Sequence, residues 1–260
     1  MGRVGMKVVI LAGGRGARLG EETVAVPKPM VEIGGRPILW HIMRHYAHFG
    51  LADFIVCLGY KGQVIKQYFA NYLLQSSDVT VDLGTNRIDY HNSTAENWRV
   101  TLVDTGDASE TGGRLKRIGP HLPPCAPFCM TYGDGVGDID IARAIAFHRD
   151  HGRLATVTAV RPPPRFGGLR LKGGDVVTFT DAPTQGWING GFFVLQPAVL
   201  DLIEGDGTRF EQGPLQRLVT EGQLKAFSHD GFWHPMDTMR DKIALNALWE
   251  SGAAPWKLWK

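Results

Sequence analysis

Cysteine is scarce: Cys57, Cys125 and Cys129 are the whole complement of 260 residues. An odd number this small cannot build a disulfide framework, and Cys125 and Cys129 lack the paired spacing of a zinc site. Reduced thiols in the cytoplasm are the expectation. Charge of either sign is not in excess, since 28 Lys and Arg against 26 Asp and Glu leave a net +2. No basic run marks a nucleic-acid or polybasic membrane surface. No stretch reaches the roughly 18 apolar residues of a membrane span, and residues 1–6 carry no signal-peptide apolar core. Repeats and low-complexity linkers are missing too. Disulfide scaffolds, nucleic-acid binders, membrane spans and solenoids are therefore excluded as readings.

Glycine and proline, by contrast, are plentiful, at 33 and 15, and their first cluster is the most informative part of the chain. Val8-Val9-Ile10-Leu11 is a buried-strand run. Ala12 and the glycines Gly13, Gly14 and Gly16 follow, interleaved with Arg15, Ala17 and Arg18, and then comes Pro27-Lys28-Pro29. Glycines let backbone N–H groups approach a polyanion, and Arg and Lys supply charge for phosphate oxygens. A Walker A loop would need Gly-Lys-Ser/Thr, which is absent. A dinucleotide fingerprint would run straight into a long helix, which Pro27 and Pro29 forbid. The segment is expected to stay extended over a phosphate-bearing nucleotide.

Strand and helix patterns alternate from there to about residue 160. Helical spacing spans 38–49, 64–74 and 141–151; strand runs span 54–59, 128–131 and 155–160. Such alternation predicts a mostly parallel sheet covered by helices on both faces. Beyond the prolines at 162–164 the texture changes to antiparallel strands at 169–171 and 176–179. Helices are expected again at 195–203, 214–221 and 241–249. His41, His45 and His48 share one helix face, but no Glu stands in an H-E-x-x-H position, so a partly exposed face is expected rather than a metal site. Trp249, Trp256 and Trp259 are expected to pack or to make subunit contacts.

Asp134 ends a strand between two glycines, which expose its carboxylate where open α/β sheets bind ligands. Taken with the first loop, the motifs Val103-Asp104-Thr105-Gly106, Thr111-Gly112-Gly113-Arg114-Leu115, Thr131-Tyr132-Gly133-Asp134-Gly135, Ile188-Asn189-Gly190-Gly191-Phe192-Phe193 and Pro235-Met236-Asp237-Thr238 resemble those of the sugar-1-phosphate nucleotidyltransferases. The later ones resemble the branch that joins a cytidylyl group to glucose 1-phosphate. The likeness runs from about Met6 to the C-terminus.

It implies one α/β domain over 6–260, with a Rossmann-like, mostly parallel sheet flanked by helices and carrying inserted antiparallel strands. The nucleotide part would be 6–160 and the sugar-phosphate part 161–260. It implies Mg²⁺, CTP and a sugar 1-phosphate as partners, and a homo-oligomer. Arg18 and Lys28 would be the catalytic cations, with Arg18 on the outgoing pyrophosphate and Lys28 on the α-phosphate. The nucleotide would also meet Leu11, Ala12, Gly13, Gly14, Gly16, Ala17 and Asp134. Thr111, Gly112 and Gly113 would read the base. Tyr132, Gly133, Asp181, Asn189 and Gly190 would line the sugar side, and Asp134 and Asp237 would bind the metal.

The chemistry suits that set. A phosphate monoester is largely dianionic at pH 7, its second pKa lying near 6, so no protein nucleophile or general base is required. What is required is alignment of two polyanions and neutralisation of charge between them.

The chain departs from the family pattern at four places. Ala17 replaces a threonine, Val26 a basic residue, and Gly213 an acidic residue in Glu211-Gln212-Gly213-Pro214. The family's Glu-Lys-Pro is Asp181-Ala182-Pro183 here, and that lysine is implied to hold the acceptor's phosphate. The nucleotide-side Arg18, Lys28, Asp134 and Asp237 are kept, while acceptor-side groups are altered. Three readings stay open: a glucose-1-phosphate cytidylyltransfer, the same chemistry with a different nucleotide or an altered acceptor such as a cyclitol phosphate, and a nucleotide-binding homologue without turnover.

Overall fold

In the computed structural model, which describes residues 5–14, 19–20, 25–161, 168–172, 175–180 and 186–259, the apolar run becomes β1 (Val8–Leu11), buried at every position. The strand sits mid-sheet and feeds two cores. Val8 and Ile10 face one, with Ile38, Leu39, Ile42 and Tyr46; Val9 and Leu11 face the other, with Leu115, Ile118 and Phe128. A strand covered on both faces has no polar alternation, which is why this run is continuously apolar.

The chain continues through β2 (Glu32–Ile33), β3 (Arg36–Pro37), α1 (Ile38–His48), β4 (Asp53–Leu58), α2 (Gly62–Ala70) and α3 (Tyr72–Gln75). A two-stranded ribbon, β5 (Asp78–Asp82) and β6 (Arg87–His91), precedes β7 (Arg99–Asp104) and α4 (Thr111–Arg117). Next come β8 (Phe128–Tyr132), β9 (Gly135–Gly137), α5 (Ile141–His151) and β10 (Ala155–Val160). The later part holds β11 (Gly168–Lys172), β12 (Asp175–Thr180), β13 (Ile188–Leu195), α6 (Pro214–Thr220), β14 (Leu224–His229), β15 (Trp233–Pro235) and α7 (Met239–Glu250).

Seven strands form the central sheet in the order β14-β10-β13-β8-β1-β4-β7. Pairings β1–β8, β1–β4, β4–β7 and β10–β14 are parallel; β13 alone runs against its neighbours β8 and β10. The expected mostly parallel sheet is present, and β2–β3, β5–β6, β9–β15 and β11–β12 are added antiparallel pairs. Strands β13 and β14, from the later half, lie within this one sheet.

Local chemistry fixes the helix ends. Asp140 caps α5 by accepting from Arg143 N, and Gly152 ends it at φ 63°, the left-handed geometry glycine adopts freely. Three expectations need correction. The helix expected at 64–74 breaks at Asn71, whose side-chain amide donates to Gln67 O. The one expected at 195–203 is a 3₁₀ helix, Pro197–Leu202. The histidine face is exposed only at His48: His41 and His45 are buried, their Nε2 atoms 2.9 Å from Ile33 O and Ile139 O. His41 lies edge-on to Trp40 and Trp249, so the C-terminal tryptophans complete a core that a helix wheel alone does not reveal. Trp256 is fully buried there.

Candidate active site

Lys28 is placed by its prolines. Pro27 is extended at φ −68° and ψ 150°, and Lys28–Met30 make one 3₁₀ turn with Pro29 and Met30 buried. The expected wholly extended segment is thus corrected: proline's fixed φ fits the first turn of a helix as well as an extended strand. The ammonium at the end of Lys28 stands 2.6 Å from Asp134 Oδ2 and 2.6 Å from Asp237 Oδ1.

Each carboxylate reaches that point for a backbone reason. Past the end of β8, Gly133 N donates to Leu11 O at 3.0 Å, tying the Asp134 turn to β1. A Cβ at Gly133 would lie 3.0 Å from Leu11 O and 3.1 Å from Pro29 Cγ, so a side chain there would press on the turn that carries Lys28. Asp237 arrives through the antiparallel β9–β15 pair, where Gly135 faces Pro235 and Met236 N donates to Asp134 O at 2.7 Å. The capping box of α7 then fixes it: Asp241 accepts from both Asp237 N and Thr238 N, while Thr238 Oγ1 accepts from Asp241 N. A reciprocal cap contributes on the order of 1 kcal/mol, and here it also aims a carboxylate.

Burial works to lower the Lys28 pKa, but Asp134 and Asp237 outweigh it and the pKa is raised. The lysine is a cation in this site. Two carboxylate oxygens converging on one positive charge is also the donor chemistry a Mg²⁺ ion takes from protein, the rest of its shell coming from phosphates and water. No group of three or more His, Cys, Asp or Glu able to hold a metal occurs among the described residues. Among the described residues the candidate is this pair, and it fits that ion.

The glycine loop is described as far as Gly14; Arg15, Gly16, Ala17 and Arg18 lie outside the described residues, as do Asp181 and Ala182. Ala12 N donates to Cys57 O, and Gly13 O accepts from Tyr60 N at 3.2 Å. Gly14 is exposed with open space where a Cβ would be. Gly13 is different: a Cβ there would sit 2.2 Å from the Arg114 guanidinium.

Arg114 is the residue that the sequence reading passes over. It is buried, and its Nη1 donates to Leu58 O, Thr105 Oγ1 and Gly106 O at 3.1, 2.9 and 2.8 Å. Its Nη2 donates to Gly13 O at 3.1 Å and Asp107 O at 3.4 Å. One planar fork thus joins the ends of β1, β4 and β7. A Cβ on Gly59 would also strike it, at 2.5 Å. The available signal was a basic residue directly before the buried Leu115, on a helix opened by two glycines.

Those glycines, Gly112 and Gly113, have N–H groups engaged by Thr208 O at 2.9 and 3.3 Å. Any Cβ on them would meet Thr208 O at 2.7 Å or Asp206 O at 2.4 Å. Thr111 Oγ1 donates to Glu211 Oε2 at 2.7 Å, and Tyr132 OH donates to Glu211 Oε1. Glu211 therefore couples the first residue of α4 to Tyr132 at the end of β8. Asn189 Nδ2 lies 3.5 Å from Tyr132 OH, and Gly190 O accepts from Trp233 Nε1 at 2.7 Å. The structure thus brings together Lys28, Asp134 and Asp237 on one side, and Tyr132, Asn189 and Thr111 about Glu211 on another. Gly213, at the family's acidic position, is exposed.

A parallel sheet with a glycine loop at the end of its central strand, and a lysine held by two carboxylates nearby, defines an α/β protein built to handle phosphorylated nucleotides. The family model described as nucleotidyl transferase matches residues 7–249, and the chain belongs to that family. It is 58% identical to glucose-1-phosphate cytidylyltransferase of Salmonella typhimurium over 98% of this chain and 100% of that one. A probable glucose-1-phosphate cytidylyltransferase of Bacillus subtilis is 40% identical, over 98% and 100%. The fold is shared with the crystal structure of HddC from Yersinia pseudotuberculosis, at TM-score 0.69 and 24% identity, covering 94% of this chain and 99% of that one.

Proposed function

We propose that the protein transfers a cytidylyl group from CTP to glucose 1-phosphate, releasing pyrophosphate and forming CDP-glucose. The observation that carries the chemistry is the convergence of Lys28, Asp134 and Asp237 within 2.6 Å contacts. The full-length likeness to two cytidylyltransferases supports the nucleotide and acceptor.

An oxygen of the sugar phosphate attacks the α-phosphorus of CTP, and the bond from that phosphorus to the bridging oxygen of pyrophosphate breaks. The attacking group is already anionic, so no side chain removes a proton. Lys28 binds the α-phosphate, where negative charge gathers in the transition state. Arg18 and the N–H groups around Gly13, Gly14 and Gly16 hold the departing pyrophosphate beside Leu11, Ala12 and Ala17. Asp134 and Asp237 would hold Mg²⁺, which would supply neutralisation of the phosphate charge. The segment Thr111, Gly112 and Gly113 faces the base. Tyr132, Gly133, Asp181, Asn189 and Gly190 orient the sugar, so residues 6–160 serve mainly the nucleotide and 161–260 mainly the acceptor. No helix among the described residues is long and apolar enough to cross a membrane, and few cysteines and a nucleotide substrate support a cytoplasmic site of action. The apolar face of the β5–β6 ribbon, with exposed Val79, Val81, Ile88 and Tyr90, supports assembly into a homo-oligomer, to be checked by sedimentation.

The test is product identification. With CTP, glucose 1-phosphate and Mg²⁺, ³¹P NMR should show pyrophosphate and a new diphosphodiester in equal amounts. A diphosphodiester formed only with another nucleotide would overturn the reading.

A second reading, an altered acceptor, is favoured by Ala182 and Gly213. If the site is merely weakened for glucose 1-phosphate, Ala182→Lys should lower its KM about tenfold, the size of a charged hydrogen bond. If it is adapted to another acceptor, the same change should leave glucose 1-phosphate poor and harm the true substrate.

A further inference from the structure

We propose that Lys28 is a latch on the metal-binding pair: its ammonium holds Asp134 and Asp237 in the nucleotide-free protein, so that a divalent ion loads only when nucleotide phosphate draws the lysine away. This rests on the proposed function, in which Lys28 and the carboxylates meet the same nucleotide.

The geometry carries it. One Nζ stands 2.6 Å from each carboxylate, so the oxygens a divalent ion would use are already occupied by a charged donor. Two carboxylates this near a common point repel one another, and a cation between them relieves that repulsion. The ammonium is only partly solvated, the Lys28 side chain being 11% exposed. A free ion must therefore displace a charge-assisted hydrogen bond from each oxygen before it binds. Its position is not adjustable by backbone slack, since Pro27 and Pro29 fix the turn and the α7 capping box fixes Asp237.

A nucleotide changes the balance. Its α-phosphate offers the lysine another anion, and its oxygens offer the ion further ligands. Metal and nucleotide are then coupled, and reciprocity requires each to tighten the other by the same factor. In the empty state the lysine also keeps the carboxylates aimed at one point, so the pair does not have to reassemble when the ion arrives.

The experiment measures Mn²⁺ binding by the EPR signal of the free ion, with no turnover involved. It uses the wild-type chain, Lys28→Met, which keeps the buried stem, Lys28→Gln as a second variant, and the double variant Lys28→Met/Asp134→Asn. Without nucleotide, either lysine variant should bind Mn²⁺ at least tenfold more tightly than wild type, and the double variant should lose that gain. With Mn²⁺ held by the analogue alone subtracted, a non-hydrolysable CTP analogue should tighten Mn²⁺ binding to wild type by a clearly larger factor than to Lys28→Met, since only in wild type does it also draw the lysine away. Equal affinity of wild type and both lysine variants for Mn²⁺ alone would overturn the latch. A gain in the lysine variants with no response of wild type to the analogue would support the lysine as the occupant of the pair and count against the nucleotide reading.

Discussion

Replacing Arg114 by methionine tests how the nucleotide loop is held. The guanidinium donates five hydrogen bonds, but they are not equal losses. Leu58 O also accepts from Thr105 N and Thr105 Oγ1, and Gly13 O also accepts from Tyr60 N. Those two carbonyls keep a partner. Gly106 O is the acceptor that depends most on Arg114, at about 1–3 kcal/mol if left bare, whereas Asp107 is exposed and its carbonyl is open to water. Burial opposes the charge of Arg114 and lowers its pKa, so removing the charge returns part of the loss. A destabilisation of about 2 kcal/mol follows, or a fall in Tm of about 4–8 °C for a chain of this size. The functional consequence is more selective. The arginine holds Gly13 O and the β4 end but touches nothing on the Tyr132–Asn189 side. Arg114→Lys, which keeps the charge but loses the fork, should raise the KM for CTP at least tenfold with the KM for the sugar phosphate within twofold. Scanning calorimetry and initial-rate kinetics give both numbers. A Tm within about 1 °C of wild type in Arg114→Met, or KM values shifted equally for both substrates in Arg114→Lys, would refute the reasoning.

Asp134→Asn and Asp237→Asn should each lower kcat about a hundredfold or more with an unchanged circular dichroism spectrum, because both side chains lie at the rim of the site and neither belongs to a core. Stability should fall with acid. Burial lowers His41, His45 and His148 to about 4 from 6.5, so the unfolded chain binds protons that the folded one refuses. Their contribution is complete above about pH 6.5 and is lost as pH falls towards 4, by at most about 1.4 kcal/mol per pH unit for each histidine. Urea midpoints measured between pH 7 and 4.5 check this, and a flat profile would contradict it.

How much of this is legible in the sequence depends on burial. β1, β4, β8 and β10 sit inside the sheet, and their apolar runs are unbroken; α5 announces itself with Asp140 and Gly152. Of the seven strands of the central sheet, β7, β13 and β14 are not anticipated; β7 and β14 are its two edges, and β13, inside it, has its apolar run interrupted by Asn189-Gly190-Gly191. An edge strand has one unpaired flank and partly solvated faces, and Leu224-Lys225-Ala226-Phe227-Ser228-His229 carries too few apolar residues to stand out. Lys28 and Asp134 could be named because proline, glycine and a strand end mark them, and Asp237 from the family resemblance of its motif. Their meeting could not be, since it depends on the register of β9 against β15 and on the α7 cap. Arg114 was hidden for the opposite reason. A charged residue is ordinarily a surface residue, and only the carbonyls at three strand ends explain why this one is inside.

The most direct test of the central claim is the initial rate of pyrophosphate release with Mg²⁺, CTP, UTP, GTP, ATP and dTTP, each paired with a panel of sugar 1-phosphates. CTP with glucose 1-phosphate should be fastest, and Asp134→Asn and Lys28→Ala should abolish most of that rate. Release no faster than that of Asp134→Asn for every pairing, or a clear preference for another nucleotide, would contradict it.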